Sequence, residues 1–289
     1  MTRLLVLNKL RWYLRLPIKW VIFALTVLVV CFPYPHLLIR HIQHWRDPNA
    51  LIEPDAPAIQ PLVEELGQLL SNDLAPNEVL KRVERYVYNK IEYEWDWNTW
   101  GTADYLPTVT EAIEMGKEDC DGQAVVAASL LRRFGFQVQL VTDFAHMWVK
   151  TDRGETMGPG KKKAIVATDR GLRFQLSGLK ELPKAFAHGT AVFPLVREAI
   201  ILGMLWLLLL RPKGGIVLSL VGLVCFTGAL ICLRNGGRNY HHPTLWMQWV
   251  GMLAIVAGFF VLLVGARRHA ATAGDTSAHS PPDPTSEKS

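Results

Sequence analysis

Lys117–Gly135 reads KEDCDGQAVVAASLLRRFG, and the organisation of the chain follows from it. Residues Gln123 to Arg133 are mostly strong helix formers, and Gly135 stands where a left-handed cap would end the helix. Ala124, Ala127, Ala128, Leu130 and Leu131 give that helix an apolar face. Cys120 therefore falls at or just before the helix's first turn. Unpaired N–H groups and the helix dipole favour an anion there, and the thiolate is the reactive form of cysteine. Glu118, Asp119 and Asp121 oppose this by repulsion. Cys31, Cys225 and Cys232 lie in apolar runs, which leaves Cys120 alone in the polar middle without a disulfide partner there. No CxxC pair or Cys/His ligand set accompanies them, so neither a metal site nor a cofactor is expected.

Downstream, Phe136–Lys150 (FQVQLVTDFAHMWVK) has a strand-like mixture with a bend near Thr142–Asp143, and His146 opens its second segment. Gly154, Gly158, Pro159 and Gly160 break the chain. Ala164–Asp169 (AIVATD) then reads as another strand, rich in β-branched and small apolar residues. Two adjacent strands joined by a loop would carry His146 and Asp169 side by side. Asp152 is the rival carboxylate, but it follows His146 too closely to reach back from the same strand.

The three residue types form a chemical set. A cysteine nucleophile needs a base, and the base needs an acceptor that fixes its tautomer and stabilises the imidazolium. Cys120 would attack a carboxamide, release an amine and leave a thioester for water or a second amine to resolve. Each residue alone has a plainer reading: a buried thiol, a strand histidine, a turn aspartate before Arg170-Gly171. Their order is what gives the set its meaning.

That order resembles the transglutaminase-like superfamily. The resemblance is carried by Tyr105–Gly116 (YLPTVTEAIEMG), by Asp119-Cys120-Asp121-Gly122, by Leu130-Leu131-Arg132-Arg133-Phe134-Gly135 and by His146-Met147-Trp148-Val149, over about residues 73–173. Glu118 stands where a glycine is common, the stretch from Cys120 to His146 is short, and no proline follows Asp169. The resemblance implies an α+β, papain-like domain of compact bacterial type, with the Cys120 helix against an antiparallel sheet carrying His146 and Asp169. It implies thiol acyl chemistry on an amide, as a peptidase or amidase acting on a peptide or protein. A crosslinking transglutaminase and a non-catalytic peptide-binding scaffold are the alternatives. It also implies an upstream side chain at the oxyanion hole, with Trp95, Trp97 and Trp100 as candidates.

Around this polar middle the chain is apolar. Half of the 289 residues are hydrophobic, and they collect at the two ends. The expected order is a basic N-terminus (1–19), a membrane span (20–39), an extracytoplasmic domain (40–192), three further spans (193–212, 215–233, 243–266) and a disordered cytoplasmic tail (267–289). Pro33 and Pro35 would end or bend the first span. The net charge of +5 comes largely from Arg and Lys beside the apolar runs, at Arg3, Lys9, Arg11, Arg15, Lys19, Arg211, Lys213, Arg267 and Arg268. This placement orients spans in a membrane, the bacterial plasma membrane on this reading, and argues against nucleic acid as a partner. Arg234 and Arg238 dissent from it. His36, His41 and His44 read as an interfacial segment with Trp45 and Arg46 rather than as a metal set. Oligomeric state is not legible.

Overall fold

The computed structural model describes residues 12–70, 73–142, 146–158, 165–168, 171–174, 182–210, 216–238 and 244–275. The chain divides into two compact units: Leu28–Leu182, and Met1–Val27 with Pro183–Ser289.

Helix α1 (Trp12–Cys31) begins upstream of the expected span, and its candidate membrane segment is Leu14–Cys31 rather than 20–39. Pro33 and Pro35 account for the difference, since prolines cannot continue the helical hydrogen-bond ladder and Pro35 instead opens α2 (Pro35–Arg46). Two 3-10 turns (Pro48–Leu51, Pro57–Ile59) lead to α3 (Gln60–Leu69) and α4 (Pro76–Lys90). There follow β1 (Glu92–Tyr93), the short α5 (Asp96–Thr99), α6 (Val109–Met115), β2 (Lys117–Glu118) and α7 (Cys120–Arg133). The strands β3 (Val138–Thr142), β4 (Met147–Thr151), β5 (Gly154–Thr156), β6 (Ile165–Thr168) and β7 (Gly171–Phe174) complete this unit.

Helix α7 is the axis of the domain core. Ala124–Leu131 are fully buried, which is why the run is apolar on every side rather than along one stripe. Leu80, Val83 and Val87 of α4 share this core with Val141, Trp148 and Val149 of β3 and β4. Gly135 has φ 84°, as a left-handed helix cap requires. The strands form a three-stranded antiparallel sheet in the order β3-β4-β5, with Val141 opposite Trp148 and Val149 opposite Thr156. β1 pairs in parallel with β2, and β6 pairs with β7.

The expected pairing between the strands carrying His146 and Asp169 is not present among the described residues. β5 takes the edge of β4 instead. Gly154, at φ 144°, lets the chain turn back at once, in a conformation closed to other residues.

The second unit contains α8 (Leu182–Val192), α9 (Leu195–Leu209), α10 (Ile216–Gly237) and α11 (Leu245–Asp275). Ile216–Gly237 and Leu245–Leu262, like Leu14–Cys31, are long and apolar enough to cross a membrane. These three spans mark a membrane protein. The span expected over 193–212 is a helix pair, Pro183–Val192 and Leu195–Leu209, bent by 112°. Helices α10 and α11 approach closely through glycine: a Cβ on Gly251 would lie 2.7 Å from Leu233 Cγ, and one on Gly222 2.7 Å from Leu262 Cγ. At the α8–α9 corner, Arg234 donates to the carbonyls of Thr190 (3.0 Å) and Phe193 (2.8 Å) and pairs with Glu198 at 2.6 Å. The dissenting arginine of the sequence is thus the staple of a helix corner.

Candidate active site

Cys120 is the first residue of α7. Asp119 caps the helix, its carboxylate accepting from the Asp121 N–H at 3.1 Å. A Cβ at residue 122 would lie 2.6 Å from Glu118 Oε2, so only glycine lets the Glu118 carboxylate sit against the first turn. Downstream, Gln123 donates to the Ile91 carbonyl at 2.9 Å and ties the helix to the segment leading into β1. The tetrad Asp119-Cys120-Asp121-Gly122 thus has a local reason for all but its cysteine.

The start of β4 meets the start of α7, and the Met147 N–H donates to the Cys120 sulfur. Burial pushes the thiol up strongly and Asp119 adds to this, while the Met147 N–H opposes it. His146 immediately precedes β4. Its Nε2 lies 2.8 Å from the Met157 carbonyl oxygen. A carbonyl can only accept, so Nε2 carries a proton, and Nδ1 is the nitrogen left for the thiol. Met157 has φ 60°, the one non-glycine residue with positive φ among those described. Its N–H donates to Glu84 Oε2 at 3.3 Å, and the Thr156 hydroxyl donates to the same oxygen at 2.7 Å. Glu84 of α4 thereby holds the bend that presents the Met157 carbonyl to His146.

Asp169 lies outside the described residues. Asp152 accepts from the Gln137 N–H at 3.1 Å and pairs with Arg153 at 3.4 Å, a turn role. Trp100 Nε1 donates to Glu118 Oε1 at 2.8 Å, which commits its donor. Trp95 and Trp97 stack at 4.9 Å with rings 11° apart, and Tyr93 meets Trp95 edge-on. Two tyrosines border the nucleophile. Burial raises the Tyr88 phenol to about 12, with Glu84 and Cys120 contributing, and raises Tyr93 further still, with Cys120 and Asp119 adding to it.

The same corner gathers acids. Asp96, Glu118 and Asp121 are buried, and one carboxylate oxygen from each, with one from Asp119, lies within 4.8 Å of the others. Burial pushes Asp96 up to about 10 and Glu118 to about 8, and raises Asp121 strongly. Asp104, raised to about 6 by burial and Asp119, adjoins Asp96. The spacing in the sequence reveals Glu118, Asp119 and Asp121, whereas Asp96 arrives through the tertiary fold. Glu84 and Met157 carry no sequence signal of their role.

His41 and His44 both bond to the backbone of Leu106. His41 Nδ1 accepts from the Leu106 N–H at 3.1 Å, and His44 Nδ1–H donates to the Leu106 carbonyl at 2.6 Å.

A cysteine at a helix N-terminus, beside the strand that carries a histidine, in a mixed helix-and-sheet domain, defines a class of thiol-containing domains. Residues 64–161 match the model of the transglutaminase-like superfamily, and the chain carries a domain of that superfamily. That superfamily is typically enzymatic and cysteine-dependent. A search of the curated proteins found no match to this chain.

Proposed function

We propose that this protein is a membrane-anchored thiol hydrolase of peptide or protein amide bonds, with Cys120 as nucleophile, His146 as base and Asp169 as the acceptor that steadies the imidazolium. The observation that carries the reading is the meeting of the α7 and β4 starts. It joins the Cys120 sulfur to the residue after His146, while the Nε2 proton of His146 is given to the Met157 carbonyl.

The cycle balances as follows. The Cys120 proton passes to His146 Nδ1 as sulfur attacks the amide carbon. The C–N bond breaks, and the imidazolium proton leaves on the amine. Water then attacks the thioester, gives a proton to His146 and releases the acid, and that proton returns to the departing sulfur. In this cycle the Met157 carbonyl holds the Nε2–H and fixes the ring, and the Asp169 carboxylate supplies the charge that steadies the imidazolium. The basic residues beside the apolar segments support an extracytoplasmic domain.

A membrane-impermeant thiol reagent applied to intact cells tests the reading. Strong labelling is expected in wild type, none in Cys120→Ala, and labelling slowed more than about tenfold in His146→Ala. Labelling of wild type only after lysis would reverse the proposed side. Equal labelling of folded wild type and His146→Ala would remove the base from the mechanism. Purified protein given peptide amides with and without a primary amine distinguishes hydrolysis from crosslinking: the acid product supports hydrolysis, and amine incorporation overturns it.

A further inference from the structure

Helix α2 is turned inside out for a helix in water. On its inward side His41 and His44 bond to the Leu106 backbone, Leu37 is buried and Trp45 packs on the domain core. Its outward side carries isoleucines, Ile39 at 57 % exposure and Ile42 at 48 %, followed on the same side by the exposed Arg46. A helix that faces water places histidine and isoleucine the other way round, and exposed apolar groups are informative where they gather. Here they gather. Among the described residues of the domain unit, Leu28, Val29, Tyr34, Ile39 and Ile42 carry exposed apolar surface from the last turn of α1 into α2. The other large apolar side chains so exposed, tyrosines apart, are Leu69 and Met115, at the ends of α3 and α6. Leu28–Cys31 closes the candidate membrane segment and opens the domain unit. The Ala103 N–H donates to the Cys31 carbonyl at 2.7 Å, and a Cβ on Gly101 would lie 2.9 Å from Tyr34 Cε2, so the domain is fastened to the exit of the span. Only Phe32, Pro33 and Tyr34 separate Cys31 from Pro35, a reach of at most about 14 Å. A headgroup layer is about 5–8 Å deep, so α2 begins within it or one helix width from it.

We propose that α2 is a membrane-surface helix, whose Ile39–Ile42 side rests in the headgroup layer of the bilayer that α1 crosses, with Arg46 reaching lipid phosphates. Apolar side chains on such a helix enter the boundary between headgroups and acyl chains, and a flanking arginine keeps its charge among the phosphates. The inverted helix then has a reason: its outer side is given to lipid, and its inner side makes the polar bonds to the domain. Continuity with the exposed end of the span favours lipid over a second copy of the chain as the occupant. The consequence reaches the nucleophile. His41 and His44 hold Leu106, the Tyr105 N–H bonds to Asp96 at 2.6 Å, and Trp100 bonds to Glu118 beside the first turn of α7. A helix seated on lipid therefore fixes how the Cys120 corner is presented to the membrane surface.

The seat is independent of the thiol chemistry, and its test reads no activity. Full-length protein is placed in nanodiscs of phosphatidylcholine and phosphatidylglycerol that include a lipid with a diazirine just below its headgroup. After illumination, lipid adducts are located residue by residue by mass spectrometry. Ile39 and Ile42 are expected to be labelled about as strongly as Val29, and about fivefold more than Leu69 and Met115, which are also exposed. Ile39→Gln combined with Ile42→Gln is expected to strip adducts from residues 35–46 and leave those at Val29, because the apolar area that holds α2 at the boundary is gone. Labelling of Ile39 and Ile42 no higher than that of Leu69 and Met115 overturns the proposal. So does undiminished labelling of residues 35–46 in the folded double variant. Protection of both isoleucines from the lipid probe and from a water-soluble carbene would assign this side to a second copy or another protein, and overturns it as well.

Discussion

Buried carboxylates occur in both units of the molecule, and the company they keep differs. In the helical unit, Glu198 meets Arg234, whose guanidinium also closes the exposed carbonyls of Thr190 and Phe193. In the domain unit, Glu111 is nearly as well provided. Burial alone would raise it, yet the Thr108 N–H and hydroxyl, the Tyr105 hydroxyl and Arg40 together bring it below its ordinary value. Around Cys120, Asp96, Glu118 and Asp121 share one corner, and among the described residues no cationic side chain pairs with them. The first two arrangements serve only to hold a bend or a helix start, and the chain supplies their countercharge covalently. Beside the nucleophile, among the described residues, these carboxyl groups are met by neutral donors alone, from Tyr105, Trp100 and Gly122, and burial raises all three above their ordinary values. The contrast can be broken by removing countercharge where it exists.

The largest effect is expected at Arg234. Arg234→Met would leave Glu198 buried without its partner and two corner carbonyls without a donor. The cost is about 3 kcal/mol, measured as the shift in denaturant midpoint of the helical unit in mixed micelles. Adding Glu198→Met should restore most of that loss, because removing both charges relieves the burial that removing one exposes. A double variant as unstable as the single one would mean that the carbonyl contacts, not the ion pair, hold the corner.

Glu84 sharpens the comparison from the other side, as a carboxylate satisfied by neutral donors on behalf of the site. Glu84→Ala should free the Thr156 hydroxyl and the Met157 N–H, relax the Met157 bend and lower kcat about tenfold with little change in KM. Glu84→Gln keeps an acceptor oxygen and should recover most of kcat. Equal losses in both variants would assign Glu84 to packing rather than to positioning His146.

His41 gives a smaller, pH-dependent effect. Burial first, and His44 second, lower its pKa from 6.5 to about 4. The folded protein therefore favours the neutral ring, whose Nδ1 accepts from Leu106. The sign follows: the contribution is complete above pH 6.5 and is lost as pH falls towards 4, because the unfolded chain binds the proton more readily. Between pH 6.5 and 5 the wild type should lose about 1 kcal/mol from this group, allowing for solvent screening. In His41→Asn that share of the pH slope should vanish, so the stability gap to wild type narrows on acidification. A gap constant over this range would show that His41 titrates alike in both states.

The parts of the site that lie close in sequence were legible before the structure. Cys120 at a helix start followed from the run of helix formers after it, and the β3–β4 hairpin from the apolar alternation on both sides of Thr142–Asp143. What escaped depended on return and convergence. The glycine at 154 read as a break, whereas its positive φ folds β5 back onto β4 and fills the edge expected for the strand before Asp169. Asp96 sits among tryptophans that drew attention to their rings, and only the tertiary fold brings its carboxylate to Glu118. The repulsion among Glu118, Asp119 and Asp121 was visible in the sequence as a difficulty for the thiolate. The structure enlarges that difficulty by a fourth acid.

The smallest effect is expected at the well-provided end of the comparison, in the capping box of α6. Thr108 Oγ1 accepts from the Glu111 N–H at 3.3 Å, while the Thr108 hydroxyl and N–H both donate to Glu111 Oε2 at 2.9 Å. Glu111 Oε1 in turn takes the Tyr105 hydroxyl at 3.0 Å and Arg40 at 2.7 Å. Thr108→Ala removes the cap oxygen and one of several donors, so it should cost about 1 kcal/mol at pH 7, read from thermal unfolding. The Glu111 share of that cost has a definite pH window. A carboxylate whose folded pKa is depressed contributes above its unfolded value and loses the contribution as pH falls through the folded one. The penalty of Thr108→Ala should accordingly shrink below pH 4.5, where the unfolded carboxyl begins to protonate. A penalty that stays constant through that range would place the whole effect in the backbone cap. Glu111 would then owe its low pKa to the Thr108 N–H, which the alanine keeps, and to Tyr105 and Arg40.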